Sequence, residues 1–293
     1  MIRLDAATVL LQWAAGGLLF LWVTTRRREV GIGYGWLLRG TNLLLAVGAV
    51  VVGVLFEPVP VREVAAALTA VAAGAALVVS VQRRRAGVAG QRAEAARKQE
   101  RVAAMVNVSG YEATGIERDE QTFDGDAPEF PPALDLIAPA IAIVGLIAAG
   151  IDAADGNALL AVARTLVGAA FLGAITDAML LGHWYLVQPG MARGPLLELV
   201  RLVMWVWPAE VALLLVPTGM ASVWSGAVDD GYGGTLGWMW GACAGGTIVL
   251  AFVTRAALRE RYYSAVMAAT GLLYLAILTA FGTDLVARAV LAG

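Results

Sequence analysis

The sequence predicts an all-α fold, a polytopic bundle of about eight transmembrane helices with both termini on the non-cytoplasmic side. Three observations predict it. Of the 293 residues, 59% are hydrophobic and only 15% charged, with a mean hydropathy of +0.74, far from the balance of a water-soluble domain. The apolar residues gather into runs of about 20, the length needed to cross ~30 Å of hydrocarbon. Most of the 21 Lys and Arg gather into short stretches between those runs, which is a topology signal and not a nucleic-acid one.

Taken in order, the runs fall at residues 6–24, 38–56, 61–81, 133–151, 158–187, 196–217, 235–257 and 262–287. In lipid each must satisfy its own backbone hydrogen bonds, and none shows the alternation of a barrel strand, so helices are the expected form. The first run follows only Arg3 and is followed by Arg26, Arg27 and Arg28 instead of a cleavage site, so it is expected to be a retained span. Arg26, Arg27, Arg28, Arg39, Arg83, Arg84, Arg85, Arg92, Arg97, Lys98, Arg101, Arg118, Arg193, Arg255, Arg259 and Arg261 then fall on one side of the bilayer, against Arg3, Arg62 and Arg288 on the other. By the positive-inside rule the first side is cytoplasmic. The expected location is a bacterial inner (plasma) membrane, with the lipid bilayer and other membrane subunits as partners and no nucleic acid. Trp22, Tyr34, Trp36, Trp184, Tyr262 and Tyr263 sit at inner boundaries of the runs, and Trp224, Trp238 and Trp240 at outer ones. They are read as interfacial anchors.

The chain therefore divides into spans one to three (1–81), a charged cytoplasmic loop (82–132) and spans four to eight (133–293). The loop opens basic and Ala-rich, a composition that allows span three to continue as a helix, and closes as an acidic, Pro-punctuated strap expected to be partly flexible. Asn107 to Ser109 match a glycosylation triplet, which a cytoplasmic position excludes.

A single cysteine, Cys243, and a single histidine, His183, exclude an internal disulfide, a Cys-rich metal centre and any site needing two imidazoles. There is no serine nucleophile elbow, no HExxH and no DDxxD-like cluster. Gly31 to Gly35 read GIGYG, but they lie between an arginine cluster and an apolar run, not between a strand and a helix. Asp229 and Asp230 lie in a Gly-rich loop and are read as turn formers, and Asp284 and Arg288, spaced i, i+4 near the outer end of the eighth run, as a local pair. No internal repeat stands out.

The informative residues are ionisable groups inside spans, which tend to face the bundle interior and to be paired. They concentrate in the hairpin of spans five and six, where Asp177, His183, Glu198, Arg201 and Glu210 form the candidate buried polar site, with Arg164 on the same hairpin. Counted outward from the QPGMARGP turn, His183 and Arg201 come to the same depth and Asp177 lies ~16 Å in. Glu198 is expected to pair with Arg201 at i, i+3. Glu210 follows Pro208, which breaks one helical hydrogen bond. No catalytic or metal-ligating set is present. The expected cofactor is at most a quinone, with haem disfavoured because one histidine would need a distant methionine as partner. The leading expectation is a non-catalytic membrane subunit of a respiratory or other redox assembly, with a buried proton- or quinone-binding site. Its alternatives are a proton-coupled secondary transporter of a small solute and a membrane scaffold acting through the loop.

Overall fold

The computed structural model describes residues 3–93, 123–124, 126–188, 191–216 and 219–292. Among the described residues eight long helices are formed: α1 (Ala6–Thr25), α2 (Ile32–Leu55), α3 (Pro60–Gln82), α4 (Ile137–Asp152), α5 (Ala158–Val187), α6 (Gly194–Leu215), α7 (Thr235–Ala257) and α8 (Tyr263–Leu291). Among the described residues there is no strand. Seven of these segments are long and apolar enough to cross a membrane, the one ending in α4 taking in the 3₁₀ turn Pro132–Leu136 before it. The protein is a multi-pass helical membrane bundle. The remaining long helix, α6, holds Glu198, Arg201 and Glu210 within its 22 residues and is set apart by that charge.

The caps follow from the sequence. Asp5 accepts hydrogen bonds from the amides of Ala7 and Thr8 at the start of α1, and Asn157 from Leu160 at the start of α5, each satisfying donors that a helix start leaves open. Pro60 and Pro195 open α3 and α6, where the missing N–H costs nothing. Helix α2 begins at Ile32, a turn and a half before the apolar run does, because residues 32–37 continue the helical face.

The helices close two rings. Helices α1 to α4 pack in cyclic order, α5 to α8 do the same, and the rings join where α5 lies against α1 and α4. The two rings have the same connectivity, a repeat of architecture that the residue pattern does not reveal. Small residues set the junction. A Cβ on Gly16 would lie 1.9 Å from the Ala169 carbonyl oxygen, and one on Gly173 would lie 2.1 Å from the Gly16 carbonyl carbon, so the α1 and α5 backbones touch at this crossing. Outward faces remain apolar: Leu44, Leu55, Val71, Trp205 and Leu278 are exposed, as expected where lipid replaces water.

Contacts define the two ends of the bundle. At one, Arg26 and Arg27 from the end of α1 reach Glu198 near the start of α6. At the other, Arg62 reaches Asp5, and Arg3 pairs with Asp152 at the end of α4.

The connection after α3 departs from expectation. Helix α3 stops at Gln82, passes through the short 3₁₀ turn Arg84–Ala86 and turns at Gly87, whose φ is 57°; the third span does not continue as a helix. A Cβ at Gly87 would lie 2.4 Å from the Phe123 ring. The end of the acidic stretch is docked instead of loose: Glu129 pairs with Arg28 and Arg92, and the buried Phe130 ring lies 4.2 Å from the Arg39 guanidinium. The triplet at 107–109 and most of the loop's charges lie outside the described residues.

Candidate functional site

The Gly16/Gly173 crossing brings a glutamine from α1 into the second ring. Gln12 Nε2 donates to the Thr165 carbonyl at 2.6 Å, and its Oε1 accepts from Arg288 Nη2 at 2.7 Å. Arg288, on α8, also donates from Nε to Asp284 Oδ2 at 2.7 Å and from Nη1 to the Arg3 carbonyl at 3.2 Å. Gly168 makes room for this knot, since a Cβ there would lie 2.9 Å from Gln12 Nε2 and 3.2 Å from Asp284 Oδ1. All four polar side chains, Gln12, Thr165, Asp284 and Arg288, are buried.

Glu210 faces this knot from α6. It is 1% exposed, neither carboxylate oxygen has a hydrogen-bond partner among the described residues, and its charged neighbours are Asp284, Arg288 and Arg164. Asp284 Oδ1 is likewise without a partner. Arg164 on α5 fixes the depth of α6 by donating from Nε to the Leu213 carbonyl at 2.8 Å. Two residues before Glu210, Pro208 sits inside the helix and removes the donor that would hold the Met204 carbonyl. Three helices, α5, α6 and α8, thus deliver two carboxylates and two guanidiniums to one buried place, and α1 adds the Gln12 amide, at the end of the bundle away from the arginine-rich rim.

A cavity of about 20 Å³ joins this knot to the surface, lined among others by Arg3, Asp5, Thr8, Arg62, Thr165 and Arg288. It has room for about one water. Arg62 on its wall is saturated, donating to Asp5, to Thr8 Oγ1 at 3.0 Å, to the Glu57 carbonyl at 2.6 Å and to Glu63 Oε1 at 2.6 Å.

The five residues singled out from the sequence are not brought together. Asp177 is fully buried, with neither oxygen hydrogen-bonded among the described residues. It lies nine residues beyond Gly168, ~13.5 Å along α5, with the buried Phe171, Leu172 and Ile175 between. Nearby, Tyr34 Oη donates to the Asp177 carbonyl at 3.2 Å and Trp13 Nε1 to Thr176 Oγ1 at 3.0 Å. Tyr34 is therefore a core residue, not an interfacial anchor, and so is Trp240, 1% exposed. His183 is exposed and shares a 2.9 Å hydrogen bond with Tyr274 through Nδ1. Glu198 pairs with Arg26 at 2.5 Å and Arg27 at 3.1 Å instead of with Arg201, because the start of α6 lies beside the end of α1 across the rings. Arg201 is exposed. Of the five, only Asp177 and Glu210 are buried, in opposite halves of the bundle.

Sequence reasoning missed Gln12 and read Asp284 and Arg288 as no more than a local i, i+4 pair. That pair is present, but its meaning lies in what α1 and α6 add to it. The cost of ionisable groups within spans was the available signal, and it applied to α8 as much as to α5 and α6.

Asp229 and Asp230 do form a turn. Asp230 accepts from the amides of Tyr232, Gly234 and Leu236 ahead of α7, and Asp229 from Gly231. Among the described residues no group of three or more His, Cys, Asp or Glu is placed to hold a metal ion. No protein-family model, curated protein or solved structure matches the chain.

Proposed function

We propose that this chain is a proton-coupled membrane transporter of a small solute, with Glu210 as its proton-binding group. The observation that carries the reading is the Glu210 carboxylate, buried in the second ring with no hydrogen bond to either oxygen among the described residues and with two guanidiniums and a second carboxylate as its charged neighbours. A carboxylate that only fixed helix register would be expected to be hydrogen-bonded. One with open lone pairs between charges of both signs is a group whose protonation changes what its helix is attracted to. Charged, Glu210 draws α6 towards Arg164 and Arg288; neutral, it releases that attraction beside a helix already weakened at Pro208. Two rings of like connectivity meeting at a close backbone crossing supply bodies that can rock against each other.

The test is reconstitution of the full chain in liposomes with an internal pH dye, together with labelling by an apolar carbodiimide, which modifies protonated carboxyls in apolar surroundings. Labelling at Glu210 that declines as pH rises, with proton flux lost in Glu210→Gln, is the expected result. Unlabelled Glu210 and unchanged flux in Glu210→Gln would overturn the reading.

A second reading, the non-catalytic subunit of a redox assembly, is favoured by one observation. His183 and Tyr274 present a hydrogen-bonded pair on the exposed face between α5 and α8, a donor set suited to a quinone carbonyl. A quinone co-purifying in stoichiometric amount from gentle detergent, with companion redox subunits, would put this reading first.

A further inference from the structure

We propose that Arg201 is the centre of a binding site for the headgroup of an anionic phospholipid, at the arginine-rich end of the second ring. The proposal rests on the membrane placement of the bundle and not on the transport reading. Arg201 lies seven residues into α6, ~10 Å from its start, and its side chain is exposed. No ion pair or hydrogen bond to it is found among the described residues. Its expected partner, Glu198, is held by Arg26 and Arg27 on the side facing the first ring. One turn deeper on the same face, Trp205 is 76% exposed, the place of an aromatic ring just below the headgroups. A guanidinium at this depth, turned to lipid and unanswered by protein, reaches its counter-charge by extending along the helix towards the phosphate layer.

The surroundings make that counter-charge a phosphate anion. Arg193, at the start of α6, donates to the carbonyls of Leu258 at 3.2 Å, Arg261 at 3.2 Å and Tyr262 at 3.1 Å, and to that of Glu260. This fastens the α7–α8 turn beside the first turn of α6 and sets Arg255, Arg259 and Arg261 on the same rim as Arg201. Glu260 is the one acidic residue in that turn, and Tyr262, 74% exposed, stands beside it. A rim with several cations, one of them sunk below the headgroup level, suits a lipid carrying net negative charge better than a zwitterionic one.

The experiment is native mass spectrometry of the full chain in detergent, with diphosphatidylglycerol or phosphatidylcholine added in equal amount. Retention of the anionic lipid over the zwitterionic one is expected, falling about fivefold in Arg201→Gln and largely kept in Arg201→Lys. Arg84→Gln, an exposed arginine on the first ring, is expected to leave it unchanged. The proposal fails if the unaltered chain shows no preference, if Arg201→Gln retains as much anionic lipid as the unaltered chain, or if Arg84→Gln lowers retention equally, which would indicate diffuse attraction. It fails also if glycerol phosphate without acyl chains displaces the lipid, since the site would then take a soluble anion.

Discussion

Arg39 grips both oxygens of Asp135, Nε to Oδ1 and Nη2 to Oδ2, each at 2.7 Å, with the two side chains 2% and 1% exposed. The pair ties α2 to the 3₁₀ turn ahead of α4, and its periphery is satisfied: Arg39 Nη1 donates to Ser80 Oγ and Thr25 Oγ1 to Asp135 Oδ2, both at 3.1 Å. A planar fork meeting a carboxylate at two points holds position as well as charge.

Removing one partner should therefore be costly. Arg39→Ala is expected to destabilise the protein by about 3–5 kcal/mol, because it strands Asp135 as an uncompensated buried charge. Arg39→Lys should recover only part of this, since an ammonium cannot reproduce the bidentate geometry. Thermal unfolding in detergent checks both; full recovery by Lys would show that charge alone matters.

The ring junction should be intolerant of a single methyl group. Gly173→Ala places a Cβ within 2.1–2.5 Å of the Gly16 backbone, whereas the same change at Gly245 meets nothing within 4 Å. Gly173→Ala is expected to lower stability by about 1–3 kcal/mol or more as overpacking forces the helices apart, and Gly245→Ala to be neutral or slightly favourable. A small melting shift for Gly173→Ala, equal to that for Gly245→Ala, would contradict the close crossing.

Asp177 offers a separate test because it is buried apart from the Glu210 knot. Asp177→Asn keeps the shape and removes the ionisable oxygen pair, so stability is expected to hold or rise. Loss of proton flux in Asp177→Asn at unchanged melting temperature would identify a second proton station in the opposite half; unchanged flux would leave Glu210 as the sole one.

The loop before α7 should respond to acid. The Gly234 amide first, then those of Tyr232, Leu236 and Gly237, hold the Asp230 carboxyl below the usual carboxylate range. A folded-state value below the unfolded one contributes stability that is present at neutral pH and lost as pH falls through the folded value. Protection of the amides at residues 232–237 from hydrogen exchange, measured against the intrinsic rate at each pH, is therefore expected to be high at neutral pH and to fall in acid, and to be low at every pH in Asp230→Ala. Protection insensitive to both would remove Asp230 as the organiser of this turn.

The division between what was legible and what was not follows particular residues. Helices α1, α3, α5 and α7 lie within a few residues of the apolar runs, because a run of about 20 apolar residues in lipid has one way to satisfy its backbone. The i, i+4 pair of Asp284 and Arg288 was legible for the same local reason. Glu198 was misassigned because one helix offers a neighbour at i, i+3 while the fold offers two arginines on another helix, at 2.5 and 3.1 Å. Gln12 gave no signal at all: one amide in an apolar run says nothing until a neighbouring helix arrives.

By itself, then, the sequence determined that the chain is helical, that most of its helices are made for lipid, and roughly where each begins, since these depend on hydropathy and on hydrogen bonds within one segment. Only the tertiary structure decided that the helices close into two rings, and that Glu210 faces Asp284, Arg288 and Arg164 and not Asp177 or His183. Contacts between helices depend on where small residues such as Gly16 and Gly173 let two backbones meet, a distance that no single segment encodes.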